Sequence, residues 1–285
     1  MAYLKTDSFI YNGICSEQYD LVIGWIDDTP EFKTGLNCSV EKGNTNFVKY
    51  EANQYGVTYS DVITLSFVIL HRDGSDFSYE ESRSINNWLR GTDIYQKLHF
   101  NDQNPEFINY YAICTDIEDV VYSGINGKKI TFTCNSPFGY TNEITKKMVV
   151  SSENNMSIIN TSDVGIYYPI IKIEAAKDFV DKITIENIND KKSVTFDFSK
   201  IPANDENKRV VMDTKQMTVT DGTNLLPFYK IGWNDDYSSI VTDTTVKSIN
   251  YIYWFRLLKG INKLKITGNC TVYITCEFPR KVGVL

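Results

Sequence analysis

The sequence predicts a mainly β protein built in two halves, with one amphipathic helix in the first half. Three observations carry that expectation. Strand-forming Tyr, Phe, Thr, Ile and Val crowd the chain, aromatics reach 13%, and helix-favouring Ala is scarce. Short apolar or alternating runs recur from end to end, separated by turn residues. At 285 residues the chain exceeds what a single hydrophobic core usually supports, which predicts two domains.

The elements follow in order. Residues 27–60 carry Gly35, Gly43, Gly56 and many Asn and Thr with only short apolar runs, and are expected to form an extended arm or hairpin. Val62 to Leu70 is a strand. Ser78 stands three residues before Glu81 in capping-box spacing, and Ile85, Trp88 and Leu89 recur at helical spacing before Gly91. This predicts a helix over about 79–90 whose apolar stripe, anchored by Trp88, lies on a sheet. Asn109 to Cys114 and Lys129 to Cys134 read as strands, and Ser136 to Tyr140 as a break. Further strands are expected at Tyr168 to Ile173, Lys182 to Glu186, Ser193 to Phe198, Tyr251 to Leu257, Lys263 to Thr267 and Thr271 to Glu277. In the last, Val272, Ile274 and Cys276 share one face and Thr271, Tyr273 and Thr275 the other.

Charge divides the chain at the same place. Residues 1–140 hold 10 basic against 19 acidic residues, a net of −9, whereas residues 141–285 hold 19 against 17, a net of +2. The domain boundary is therefore set near residue 140, giving domains 1–140 and 141–285. The overall charge of −7 argues against a protein that grips nucleic acid through a basic surface. The most apolar run, Val62 to Leu70, is far shorter than the roughly 20 residues that span a bilayer, so no membrane association is expected. The N-terminus lacks the pattern of a secretory signal peptide.

Catalytic and metal motifs are not found. Cys15, Cys38, Cys114, Cys134, Cys270 and Cys276 are scattered without metal-ligand spacing, and are expected to be reduced, mostly buried thiols. The Asn-x-Ser/Thr tripeptides at Asn37, Asn155, Asn160 and Asn269 are chance matches in an Asn-rich chain. The two histidines, His71 and His99, stand apart from any nucleophile motif, and His71 is expected to be solvated in the turn it opens. No catalytic residue, metal or cofactor is expected. Two Trp-x-Asp-Asp patterns, Trp25 with Asp27 and Asp28, and Trp233 with Asp235 and Asp236, are the candidate partner-binding residues. Aromatic platforms beside carboxylates also suit sugars or calcium, although neighbouring carboxylates on loops are most often solvated turns.

Several segments together resemble one family. Phe9-Ile10-Tyr11-Asn12-Gly13-Ile14-Cys15-Ser16-Glu17-Gln18-Tyr19-Asp20-Leu21 is similar to the first strand and turn of the distal tail (Dit) proteins of long-tailed bacteriophages. Ile63 to Val68, then Arg83-Ser84-Ile85-Asn86-Asn87-Trp88-Leu89 and Tyr95 to Phe100, resemble the family's strand and helix with its Arg-x-Ile-x-x-Trp-Leu pattern. Tyr110 to Ala112, Cys134 to Tyr140, Tyr168 to Ile173, Leu258 to Gly268 and Pro279-Arg280 continue the resemblance across nearly the whole chain. The departure lies in residues 27–60, where the family's Gly-Arg-Asp-Gly-like turn is not visible.

The resemblance implies an N-terminal β-sandwich with one helix that closes into a homohexameric ring continuing the tail tube, and a C-terminal galectin-like β-sandwich. It implies a virion tail-tip location, in a phage or a phage-derived bacteriocin. The partners it implies are the tail tube protein, a tail-associated lysin or fibre protein, and a receptor-binding protein. DNA would pass without specific binding. The sugar motif of true galectins is absent, so lectin activity is not implied. The alternative reading is a carbohydrate-binding module or adhesin fragment.

Overall fold

The computed structural model describes residues 6–24, 32–33, 36–43, 53–59, 61–101, 107–122, 124–199, 201–203, 207–226, 232–233, 240–241 and 254–282. The described residues are mainly β, with one α-helix and several antiparallel sheets. It divides into two compact units, residues 1–142 with 279–285, and residues 143–278. The sequence placed everything after residue 140 in the second domain. Instead, Pro279–Arg280 pairs with Gly139–Tyr140, and Val282 joins the first core.

In the first unit the strands run Ile14–Cys15, Phe9–Tyr11, Gln96–Phe100, Asn109–Tyr122, Ile125–Cys134, Thr64–His71 and Leu21–Gly24 across one antiparallel sheet. The sheet curls until its ends approach, and the Ile23 N–H donates to the Asp7 carbonyl at 3.0 Å. Phe9, Phe67, Phe100, Phe132 and Leu98 fill the enclosed side, all with 2% exposure or less. Within 27–60, Cys38–Gly43 and Asn53–Tyr59 form an antiparallel pair, and Phe32–Lys33 pairs with the strand Thr64–His71.

The helix spans Tyr79–Arg90. The Ser78 hydroxyl accepts from the Glu81 N–H, and the Glu81 carboxylate accepts from the Ser78 N–H at 2.9 Å, so the capping box satisfies two otherwise orphaned donors. Gly91 is its C-cap, a position where a β-carbon would strike the Asn87 carbonyl.

The second unit is a sandwich. One sheet runs Ile144–Val150, Cys270–Cys276, Ile170–Ala176, Asn207–Asp213 and Thr218–Thr220. The other runs Glu153–Asn160, Gly260–Thr267, Lys182–Asn187 and Lys192–Asp197. Their alternating inward residues, among them Ile171, Ile173, Val272 and Val210 against Ile183, Ile185, Phe196 and Leu264, merge into one core. Of the strand expected at Tyr251 to Leu257, residues 251–253 lie outside the described residues, 254–256 are irregular, and Leu257 enters the short strand Leu257–Leu258.

Candidate functional site

Trp88 is the anchor of the first unit. Its indole lies parallel to the rings of Phe9 at 5.5 Å and Tyr19 at 5.1 Å, and Nε1 donates to the Tyr11 carbonyl at 3.0 Å. Ile85 and Leu89, each 1% exposed, complete the stripe. The helix is thereby fixed on the sheet by both area and direction.

Beyond the helix, the long hairpin Asn109–Tyr122 and Ile125–Cys134 is re-aimed by a β-bulge. Asp116 pairs with Thr131 but Cys114 with Phe132, so Thr115 is the extra residue. Without it, simple alternation from Cys114 would turn Asp116 and Glu118 inward. With it, Ile117 packs on the core and Asp119 meets Lys128. The Lys128 side chain is 4% exposed, sits 5.7 Å from the Phe77 ring and donates to Asp119 at 2.6 Å. This ion pair stands between two open clefts of about 340 and 390 Å³, one toward Phe77 and Val121, the other toward Asn87 and Arg90.

In the second unit three buried asparagines converge on residues 256–260. The Asn262 Oδ1 accepts from the Leu258 N–H at 2.8 Å and from Asn187 Nδ2 at 2.9 Å, while its Nδ2 donates to the carbonyls of Leu258 and Gly260. Asn187 also donates to the Arg256 carbonyl, and Asn160 to that of Leu257. Asn160 is 1% exposed, which suits a structural amide and not a glycan acceptor. The run of asparagines was visible in the sequence, but nothing in its spacing showed that these three meet.

The outward face of the five-stranded sheet carries a charged cluster. Lys147 and Lys172 lie 5.4 and 4.6 Å from the Tyr273 ring, from the strands on either side of it. Glu174 receives Lys172 at 2.9 Å and Arg209 at 3.3 Å. Burial pushes the Glu174 carboxyl up, but the hydrogen bond and charge of Lys172, with Arg209 beside it, hold it below its usual value.

The sequence-selected partner residues fare differently from the helix stripe. Trp25, Asp27, Asp28, Asp235 and Asp236 lie outside the described residues. Trp233 falls in the short strand Gly232–Trp233, paired with Ile240–Val241. The turn at His71 forms, but its ring is half-buried 4.5 Å from Phe77 instead of solvated, because the strand end tucks against the segment leading to the helix. Among the described residues no group of His, Cys, Asp and Glu is arranged to hold a metal. Burial pushes the thiols of Cys114 and Cys270 up to about 11 and those of Cys134 and Cys276 up to about 12, leaving them protonated at neutral pH.

Residues 4–136 match the family described as phage tail protein N-terminal domain, a span that lies within the first unit. No curated protein matches the chain in sequence. The crystal structure of the Dit protein of SPP1, described as a paradigm of the hub adsorption apparatus in Gram-positive infecting phages, superposes with a TM-score of 0.58. Its sequence identity is 14%, over 95% of this chain and 98% of that one. A chain of the phage P2 baseplate in its activated conformation with Ca gives 0.47 at 10% identity, covering 94% of this chain and 97% of that one. Residues 4–136 thus carry the phage tail protein N-terminal domain, and the chain as a whole shares the fold of the SPP1 Dit protein.

Proposed function

We propose that the protein is a structural hub of a phage tail tip, forming a hexameric ring that continues the tail tube and anchors a fibre, lysin or receptor-binding protein. The family match over residues 4–136 carries this reading. The first unit closes the ring in this view, aided by the hairpin Cys38–Gly43 and Asn53–Tyr59 reaching a neighbour, and the galectin-like second unit offers residues 233–236 to partners. Six copies of 32.7 kDa make a ring of about 196 kDa, which light scattering and negative-stain imaging would register directly. Two rings stacked together also fit. A monomer from micromolar to near-millimolar concentration refutes the proposal.

The charge balance supports a channel role. With Arg280 and Lys281 the first unit holds 12 basic against 19 acidic residues, a net of −7 that multiplies to −42 around six copies. Carboxylates facing the lumen repel phosphates within about 8 Å at physiological ionic strength, so DNA passes without sticking. Tight binding of duplex DNA by the assembled ring at low salt would refute this part alone.

A further inference from the structure

We propose that the outward face of the five-stranded sheet in the second unit binds an anionic glycan, through Lys147 and Lys172 beside Tyr273 and Arg209 beside Glu174. The inference builds on the tail-tip reading, which gives such a surface a cell envelope to meet. Three cations from three strands share this face with one carboxylate between two of them: Glu174 receives Lys172 and Arg209, and Lys147 lies over Tyr273, a local excess of two positive charges. A further carboxylate on this face, Asp213, sits at its margin, where its Oδ1 is occupied by the backbone N–H groups of Lys215 and Gln216.

The cluster is held in place and not merely spread over a wet surface. Tyr273 is flanked by the two ammonium groups, whose strands lie about 10 Å apart at the usual strand spacing. Arg209 is laid across Gly222, where a β-carbon would come within 2.7 Å of its Cδ, and Gly222 has a φ of +101°. The Arg209 Nε is enclosed without an acceptor in the protein, while the side chain keeps 35% of its surface open to an incoming anion.

The neighbouring positions favour a hydroxylated ligand over an acidic protein segment. Thr145 and Thr275 share a hydrogen bond of 2.8 Å on this face, and Thr271 follows two residues before Tyr273. Both Thr145 and Thr275 can donate to or accept from sugar hydroxyls.

The test uses the full chain and polygalacturonate, followed by biolayer interferometry at low and moderate salt. Binding that weakens with salt and falls at least tenfold in the Lys147→Glu, Lys172→Glu double variant is expected. Lys263→Glu, on the other sheet, should stay within twofold. Should thermal unfolding show the double variant misfolded, Lys147→Ala is read in its place, with a loss of threefold or more expected. The proposal is overturned by absent wild-type binding, by equal binding of neutral dextran or of polyglutamate, or by an unchanged double variant. Oligomeric mass is measured on the same sample, so failure of the ring and failure of the glycan face are separate results.

Discussion

Replacing Asn262 by Ala removes an amide with no exposure to solvent whose single oxygen and two N–H groups are all engaged. Two donors, the Leu258 N–H and one N–H of Asn187, lose their acceptor, and two carbonyls lose a donor. Each stranded buried donor costs about 1–3 kcal/mol, and carbonyls with a spare lone pair less, so the second unit should lose about 3–5 kcal/mol. That corresponds to a fall in midpoint of about 10–20 °C for a unit of this size. Scanning calorimetry of the full chain reads the shift, and hydrogen exchange over residues 143–278 assigns the transition to that unit. A loss below about 1 kcal/mol would show that water replaces the amide and that the network does not hold residues 256–260.

Two further outcomes follow from the first unit. Trp88→Ala should destabilise that unit by about 3–5 kcal/mol through the cavity and the abandoned Tyr11 carbonyl, and Trp88→Phe by less, as denaturant unfolding would measure. The Ser78 hydrogen bonds hold the Glu81 carboxyl below its usual value. A depressed folded value means that the cap's contribution is fully present above the unfolded value near 4.5 and is lost as pH falls through the folded one. Amide exchange at the start of the helix, corrected for its intrinsic pH dependence, should therefore accelerate between pH 6 and pH 3 in the wild type. Glu81→Gln should not respond, because the amide keeps the bond at every pH.

The helix was legible because all of its signals are local. Ser78 and Glu81 sit one turn apart, and the spacing of Ile85, Trp88 and Leu89 already marks the buried face. The strand Cys270–Cys276 was equally plain, with Val272 and Ile274 inward and Tyr273 outward. Asn109–Tyr122 was read only to Cys114, since the polar run after it has no alternation that survives the bulge at Thr115. Lys128 gave no warning either, because a lysine beside Lys129 looks like solvated surface until Phe77 and Asp119 close over it.

The sequence by itself determined the β character, the single capped helix, the division of charge and the anchoring role of Trp88, all of which depend on residues near one another in the chain. Only the tertiary structure decided which distant groups meet. The tail at Pro279–Arg280 returns to the first unit, Asn160, Asn187 and Asn262 converge on residues 256–260, Lys147 and Lys172 flank Tyr273, and Arg209 joins Lys172 at Glu174. These contacts follow from strand order and register, which pair residues tens to more than a hundred positions apart and leave no periodic trace in any one segment.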